Sequence, residues 1–122
     1  MIEVMHDYHQ LQAWKNALSF VKEIYDMTKA FPNSEIYGLC SQIQRAAVSI
    51  PSNIAEGCSR SSKKEYRHFL EIALGSAYEV ESQLRIAQML DYLSEAKLTT
   101  MLDKIDHIQR MLSSIINYLN ES

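Results

Sequence analysis

The sequence predicts an all-α protein: an antiparallel, up-and-down, left-handed four-helix bundle that associates with copies of itself. Three observations carry that prediction. Gly and Pro number only 3 and 2 among 122 residues, of which 47% are apolar, so the chain has few residues suited to turns between strands. Apolar residues recur at steps of three and four in four separate stretches, which draws a seam along one helix face and suits nearly aligned bundle packing. The connections between stretches are short, so consecutive helices lie side by side and run in opposite senses. A chain of this length buries one core without staples, and residues 1–122 read as a single domain.

The first helix is expected over about 10–31, with Leu11, Trp14, Leu18, Val21, Tyr25 and Thr28 as its seam and Phe20, Ile24 and Phe31 widening it. FPNSE at 31–35 ends it and offers Asn33 or Ser34 as the cap of a second helix over 34–57. The second seam is Ile36, Leu39, Ile43, Ala46, Ile50 and Ile54, with Gly57 as the stop. Ser62 and Glu65 form a capping box that opens a third helix over 62–90. Its seam is Tyr66, Leu70, Ala73, Ala77, Val80, Leu84 and Ala87. After a DYL turn at 91–93, Ser94 caps a fourth helix over 94–120, built on Leu98, Met101, Ile105, Ile108, Leu112, Ile115 and Leu119.

The second helix is unusual in two ways. Pro51 removes a backbone hydrogen bond to the carbonyl of Ala47, and because the apolar spacing continues to Ile54, a kink near 51 is expected rather than a stop. Between Glu35 and Glu56 its single charged residue is Arg45, and its back face holds Ser41, Gln44, Val48, Pro51, Ser52 and Ala55. FLEIALGSAY at 69–78 has a single charge too, Glu71. Helices that are neutral all round are buried all round, which places the second and third helices in or near a subunit interface. Beside the apolar seam runs a polar ridge, Gln42, Arg45, Ser49, Asn53, Glu56 and Arg60, suited to fixing register through hydrogen bonds.

MIEVMHDYHQ at the start has acids and histidines where a signal peptide needs a basic, then apolar, run. No apolar run is long enough to span a bilayer, and a cytoplasmic protein without membrane association is expected. Cys40 and Cys58 have no metal-ligand spacing and read as two reduced thiols. The net charge of −3 argues against charge-driven nucleic-acid binding by the whole chain, but the charge is segregated. From Arg45 to His68 the chain carries Arg45, Arg60, Lys63, Lys64 and Arg67 against Glu56 and Glu65, so 5 − 2 = +3, leaving −6 elsewhere. SRSSKK at a helix start combines hydroxyls, free N–H groups and cations, a combination that suits phosphate. The five cations are the candidate nucleic-acid contacts; an ordinary solvated turn with Arg60 paired to Glu56 is the plainer reading.

Other chemistry finds little support. Glu65-Tyr-Arg-His68 is a lone E-x-x-H, and His107 has Lys104 rather than a glutamate three residues earlier, so the ligand set of a di-iron bundle is incomplete. His6 and His9 lack identifiable partner ligands. There is no G-x-S-x-G, no Cys with an evident His partner and no phosphate-binding glycine loop. No cofactor, metal or catalytic residue is expected. The methionines and tyrosines read as packing, with the hydroxyls of Tyr25, Tyr37, Tyr66 and Tyr78 placed to reach an interface or solvent.

FPNSEIYGLCSQIQRAAVSIPSNIAEGCSR and FLEIALGSAYEVESQLRIA resemble the 23S rRNA intervening-sequence proteins, a family of bacterial four-helix bundles. The resemblance covers nearly the whole chain and is densest from Tyr37 to Arg60. Where the family reads close to D-L-x-V-W-Q-K-A, this chain has Gln10, Leu11, Gln12, Ala13, Trp14, Lys15, Asn16 and Ala17, and Gln44 replaces one of the paired arginines common before A-A-V-S-I. Relatives of that family include the accessory variability determinants of diversity-generating retroelements, pentameric barrels that bind nucleic acid and a reverse transcriptase. The resemblance therefore implies a homopentamer and a nucleic-acid role. The expected function is a non-enzymatic homo-oligomeric adaptor that binds RNA, DNA or an RNA-associated protein through repeated copies of the 60–67 patch. The alternative is an oligomeric protein-interaction scaffold without nucleic-acid binding.

Overall fold

The computed structural model describes Tyr8 and residues 11–121. The described residues form four helices and no strand: α1 (Gln12–Thr28), α2 (Leu39–Cys58), α3 (Lys63–Met89) and α4 (Glu95–Glu121), with a 3-10 turn at Asn33–Glu35. Consecutive helices pack together, and α4 closes more sparsely against α1. The core lies between them, with Phe20, Ile24, Ile43, Ile50, Ile54, Leu70, Leu84, Met101, Ile105, Ile108 and Leu112 almost wholly removed from solvent.

The inward face of α1 is the predicted seam only in part: Phe20, Ile24, Thr28 and Phe31 are buried as expected, and Leu11, Trp14 and Val21 pack against the core half-buried. Ala13, Ala17, Phe20, Ile24 and Met27 are buried, whereas Leu18 is 49% exposed and Tyr25 44%. Of the predicted positions only Leu18 and Tyr25 turn outward, because two alanines take inward positions beside Phe20 and Ile24, letting the helix approach its neighbours closely. Predicted residue 10 lies outside the described residues, and α1 ends at Thr28 rather than 31. In α4 the same kind of shift replaces Ile115 by Ile116, which is 7% exposed. The seam of α3 stands as expected, with every member buried.

Residues 34–38 are not part of α2. Neither Asn33 nor Ser34 caps it; Gly38 holds the N-cap position without a side-chain bond. The carboxylate of Glu35 instead accepts the N–H of Leu39 at 3.0 Å. Ile36, expected in the seam, is 51% exposed for the same reason. At the other end Gly57 is not a stop. It lies inside α2, buried, where an added Cβ would stand 3.0 Å from Phe69 Cβ, 3.0 Å from Tyr66 Cδ1 and 3.2 Å from the Tyr66 carbonyl. Glycine here permits close approach of α2 and α3. The helix runs through Pro51, which is buried rather than on an outer face.

Helix ends elsewhere follow their caps. Ser62 Oγ accepts the N–H of Glu65 at 3.1 Å, and Ser94 Oγ accepts that of Lys97 at 3.1 Å. At the end of α3, the Tyr92 N–H reaches the Ala87 carbonyl and the Asp91 N–H that of Gln88, both at 2.9 Å. Asp91 takes φ 64°. These two bonds and the left-handed residue make a Schellman termination, with Asp91 where glycine is usual.

Candidate nucleic-acid interface

The turn between α2 and α3 is fixed by its own polar groups. Ser59 Oγ donates to the Glu56 carbonyl at 2.7 Å, the Ser59 N–H bonds the same carbonyl at 3.2 Å, and the Arg60 N–H bonds that of Gly57 at 3.1 Å. The Arg60 guanidinium pairs with Glu56 and lies 4.7 Å from the centre of the Phe69 ring. This combination of ion pair and cation–π contact orients the side chain. Arg67 Nε stands 4.0 Å from the Glu71 carboxylate. Lys63 and Lys64 are exposed, and neither has an ion-pair partner among the described residues. They occupy the first turn of α3, where the helix dipole opposes cations. A bound anion would relieve that repulsion and meet the free N–H groups and the hydroxyls of Ser61 and Ser62.

Arg45 does not join this cluster. It lies fifteen residues before Arg60 on the sequence, which at ~1.5 Å per helical residue puts it about 20 Å away along α2. It borders a separate groove between α2 and α3, lined also by Tyr37, Ser41, Gln42, Ser49, Ser76 and Glu79. The structure thus brings Arg60, Lys63, Lys64 and Arg67 to one turn and leaves Arg45 on the bundle's flank.

The polar ridge is bonded at its centre. Ser76 Oγ of α3 donates to Ser49 Oγ at 2.8 Å, and Asn53 Nδ2 donates to both the carbonyl and the hydroxyl of Ser49 at 2.8 and 2.9 Å. Ser49 therefore ties α2 to α3 beside Pro51, Asn53 braces Ser49 from one turn on, and Glu56 holds Arg60. Gln42 and Arg45 remain exposed at the groove.

No group of three or more His, Cys, Asp or Glu side chains among the described residues is arranged to hold a metal ion. Glu65 and His68 are exposed, and His68 makes an edge contact with Phe69 at 5.6 Å. His107 borders a cleft between α1 and α4 with Asn16, Ser19, Glu23, Asp103 and Lys104, where Lys104 pairs with Glu23. His6 and His9 lie outside the described residues. Both thiols are buried and neither is in a disulfide; their separation on α2, about 27 Å at the helical rise, far exceeds disulfide reach. Burial pushes the Cys40 thiol up, with the charge of Glu35 adding to the effect. Tyr66 does not reach solvent or an interface: it is 2% exposed, and burial pushes its phenol far up, with Cys58 beside it.

The profile of the 23S rRNA-intervening sequence proteins matches residues 9–114. The chain belongs to that family. The solved structures include a similar protein of unknown function from the S23 ribosomal protein family of Bacteroides thetaiotaomicron VPI-5482. It is 24% identical, covers 86% of this chain and 95% of its own, and superposes with a TM-score of 0.80. No curated protein matches the chain. No helix among the described residues is long and apolar enough to cross a membrane.

In this member of the intervening-sequence family, the matched region includes the whole 60–67 turn and the Arg45 groove. Phe69 under Arg60, and Ser76 and Glu79 around Arg45, went unmarked among the sequence candidates, whereas Tyr37, expected at an interface or solvent, is 97% exposed beside Arg45. Periodicity places Phe69 and Ser76 beside the α3 seam, but only the α2–α3 register shows which α2 residues they meet.

Proposed function

We propose that this chain is a non-enzymatic, self-associating adaptor that binds nucleic acid through repeated copies of the α2–α3 turn. Its four helices run up and down, alternately antiparallel and with left-handed packing, and five copies form the assembly that the sequence resemblance implies. The observation carrying the binding reading is the pair of exposed cations, Lys63 and Lys64, at the start of α3 beside the exposed hydroxyls of Ser61 and Ser62. Arg60 and Arg67, oriented by Phe69, Glu56 and Glu71, flank them. Repetition around a ring makes weak phosphate contacts multivalent. The family's name refers to 23S rRNA, which makes structured RNA the first ligand to try; an RNA-associated protein is the other partner class under this reading.

Filter binding to structured RNA and duplex DNA across a salt series tests it. Affinity should fall steeply with salt, and alanine at Lys63, Lys64 and Arg67 should weaken binding while leaving helix content intact. Undiminished binding by that triple variant rejects the turn as the interface. Absence of any salt-sensitive binding favours the second reading, a protein-interaction scaffold. The observation behind that alternative is the charge of −6 outside residues 45–68, available to a basic protein partner.

A further inference from the structure

Leu18 and Tyr25 leave α1 with an apolar stripe that the chain does not cover. Leu18 and Tyr25 are 49% and 44% exposed, and Val21 between them is only half-buried. Along the stripe's outer edge stand Lys15, Lys22 and Lys29, one every seven residues and all exposed. Asp26 pairs with Lys22 at 3.1 Å and Lys29 at 3.5 Å, so the edge carries 3 − 1 = +2.

A second uncovered face lies on α3. Gly75 is in the middle of that helix, is exposed, and an added Cβ would meet nothing within 4 Å. Glycine weakens a helix interior, and no contact within the chain asks for it here. Glu71 and Glu79 stand one turn to either side, and Ile72, beside it, is 38% exposed. The face is flat at its centre and apolar beside it, with a carboxylate at each end: Glu71, 4.0 Å from Arg67, and Glu79, which shares a groove with Arg45.

We infer that these two faces are the halves of one head-to-tail contact, in which the α1 stripe of one copy lies across the Gly75 face of the next. The inference rests on the self-association proposed above and assigns the surfaces that carry it. The missing side chain at Gly75 admits a bulky residue such as Tyr25 or Leu18, and the lysine edge meets Glu71 and Glu79. Complementary charge at the rim fixes partner orientation. Because the faces differ, each copy keeps one of each open, and the contact propagates until the rotation closes a ring.

Two single variants and their mixture test this by analytical ultracentrifugation of the full chain. Leu18→Glu spoils the α1 face and Gly75→Arg the α3 face; both positions are exposed, so circular dichroism should match wild type. Each variant alone should fall to the single-chain mass. Mixed at high concentration they should form a 1:1 pair and nothing larger, since one copy retains each face. If either protein loses its helix signal, Tyr25→Glu and Ile72→Glu replace the pair with the same expectations. Wild type at single-chain mass overturns self-association itself. An oligomeric wild type whose variants stay assembled, or whose monomeric variants do not pair on mixing, overturns only this assignment of faces.

Discussion

The hydroxyl of Tyr92 donates to Oε2 of Glu35 at 2.8 Å, across fifty-seven residues of sequence. Oε1 of the same carboxylate takes the Leu39 N–H, and the Tyr92 ring lies 5.5 Å from that of Phe31. One acid thus starts α2 and ties the α1–α2 connection to the α3–α4 connection. Gly38 leaves the room, since a Cβ there would stand 2.7 Å from Glu35 Oε1.

The Leu39 N–H and then the Tyr92 hydroxyl hold the Glu35 carboxyl below its ordinary value of 4.5. A folded value below the unfolded one stabilises the fold above the unfolded value, and that contribution is lost as pH falls through the folded value. Glu35→Gln should therefore melt earlier than wild type at neutral pH, with the gap closing as pH drops below the ordinary carboxylate range. Thermal melts across pH read this directly; a gap independent of pH contradicts it. Tyr92→Phe should show coupling to Glu35→Gln in a double-mutant cycle.

Gly57→Ala should cost about 1–3 kcal/mol, the usual penalty of overpacking. One of the atoms it would meet is the Tyr66 backbone carbonyl at 3.2 Å, which cannot swing aside as a flexible side chain does. Urea denaturation measures the loss, and an unchanged midpoint would show that α2 and α3 have slack.

Asp91→Gly should have the opposite sign. Asp91 at φ 64° carries a Cβ where the left-handed conformation penalises one. Removing it should raise stability by a few tenths to about 1 kcal/mol, part of the gain being offset by glycine's freedom in the unfolded chain. Asp91→Val, β-branched at the same place, should lower it in the same denaturation assay.

Lys63→Ala and Lys64→Ala should each raise thermal stability at low salt by about 0.3–1 kcal/mol while weakening nucleic-acid binding. The two effects come from one cause, cations placed against a helix dipole. High salt should erase both. A stability loss on removing either lysine would mean that its charge serves the fold.

Composition and spacing alone determined that the chain is helical, that four helices exist, and where α3 and α4 begin, because Ser62, Glu65 and Ser94 act on neighbours within one turn. The seam of α3 was legible for the same local reason. The 60–67 cations were legible as a cluster, since the turn brings near in space what is near in sequence. Arg45 was separable from them too, since the helix expected over 34–57 already sets it about 20 Å from Arg60, although charge counting grouped the five. Only the tertiary structure decided which face of α1 turns inward. Hydrophobicity favours Leu18 and Tyr25, but close packing against α2 and α4 favours Ala13 and Ala17, and burial rewards the fit of both partners rather than the size of one. Gly57 followed the same rule: a glycine that reads as a stop became a point of contact once Tyr66 and Phe69 lay across it.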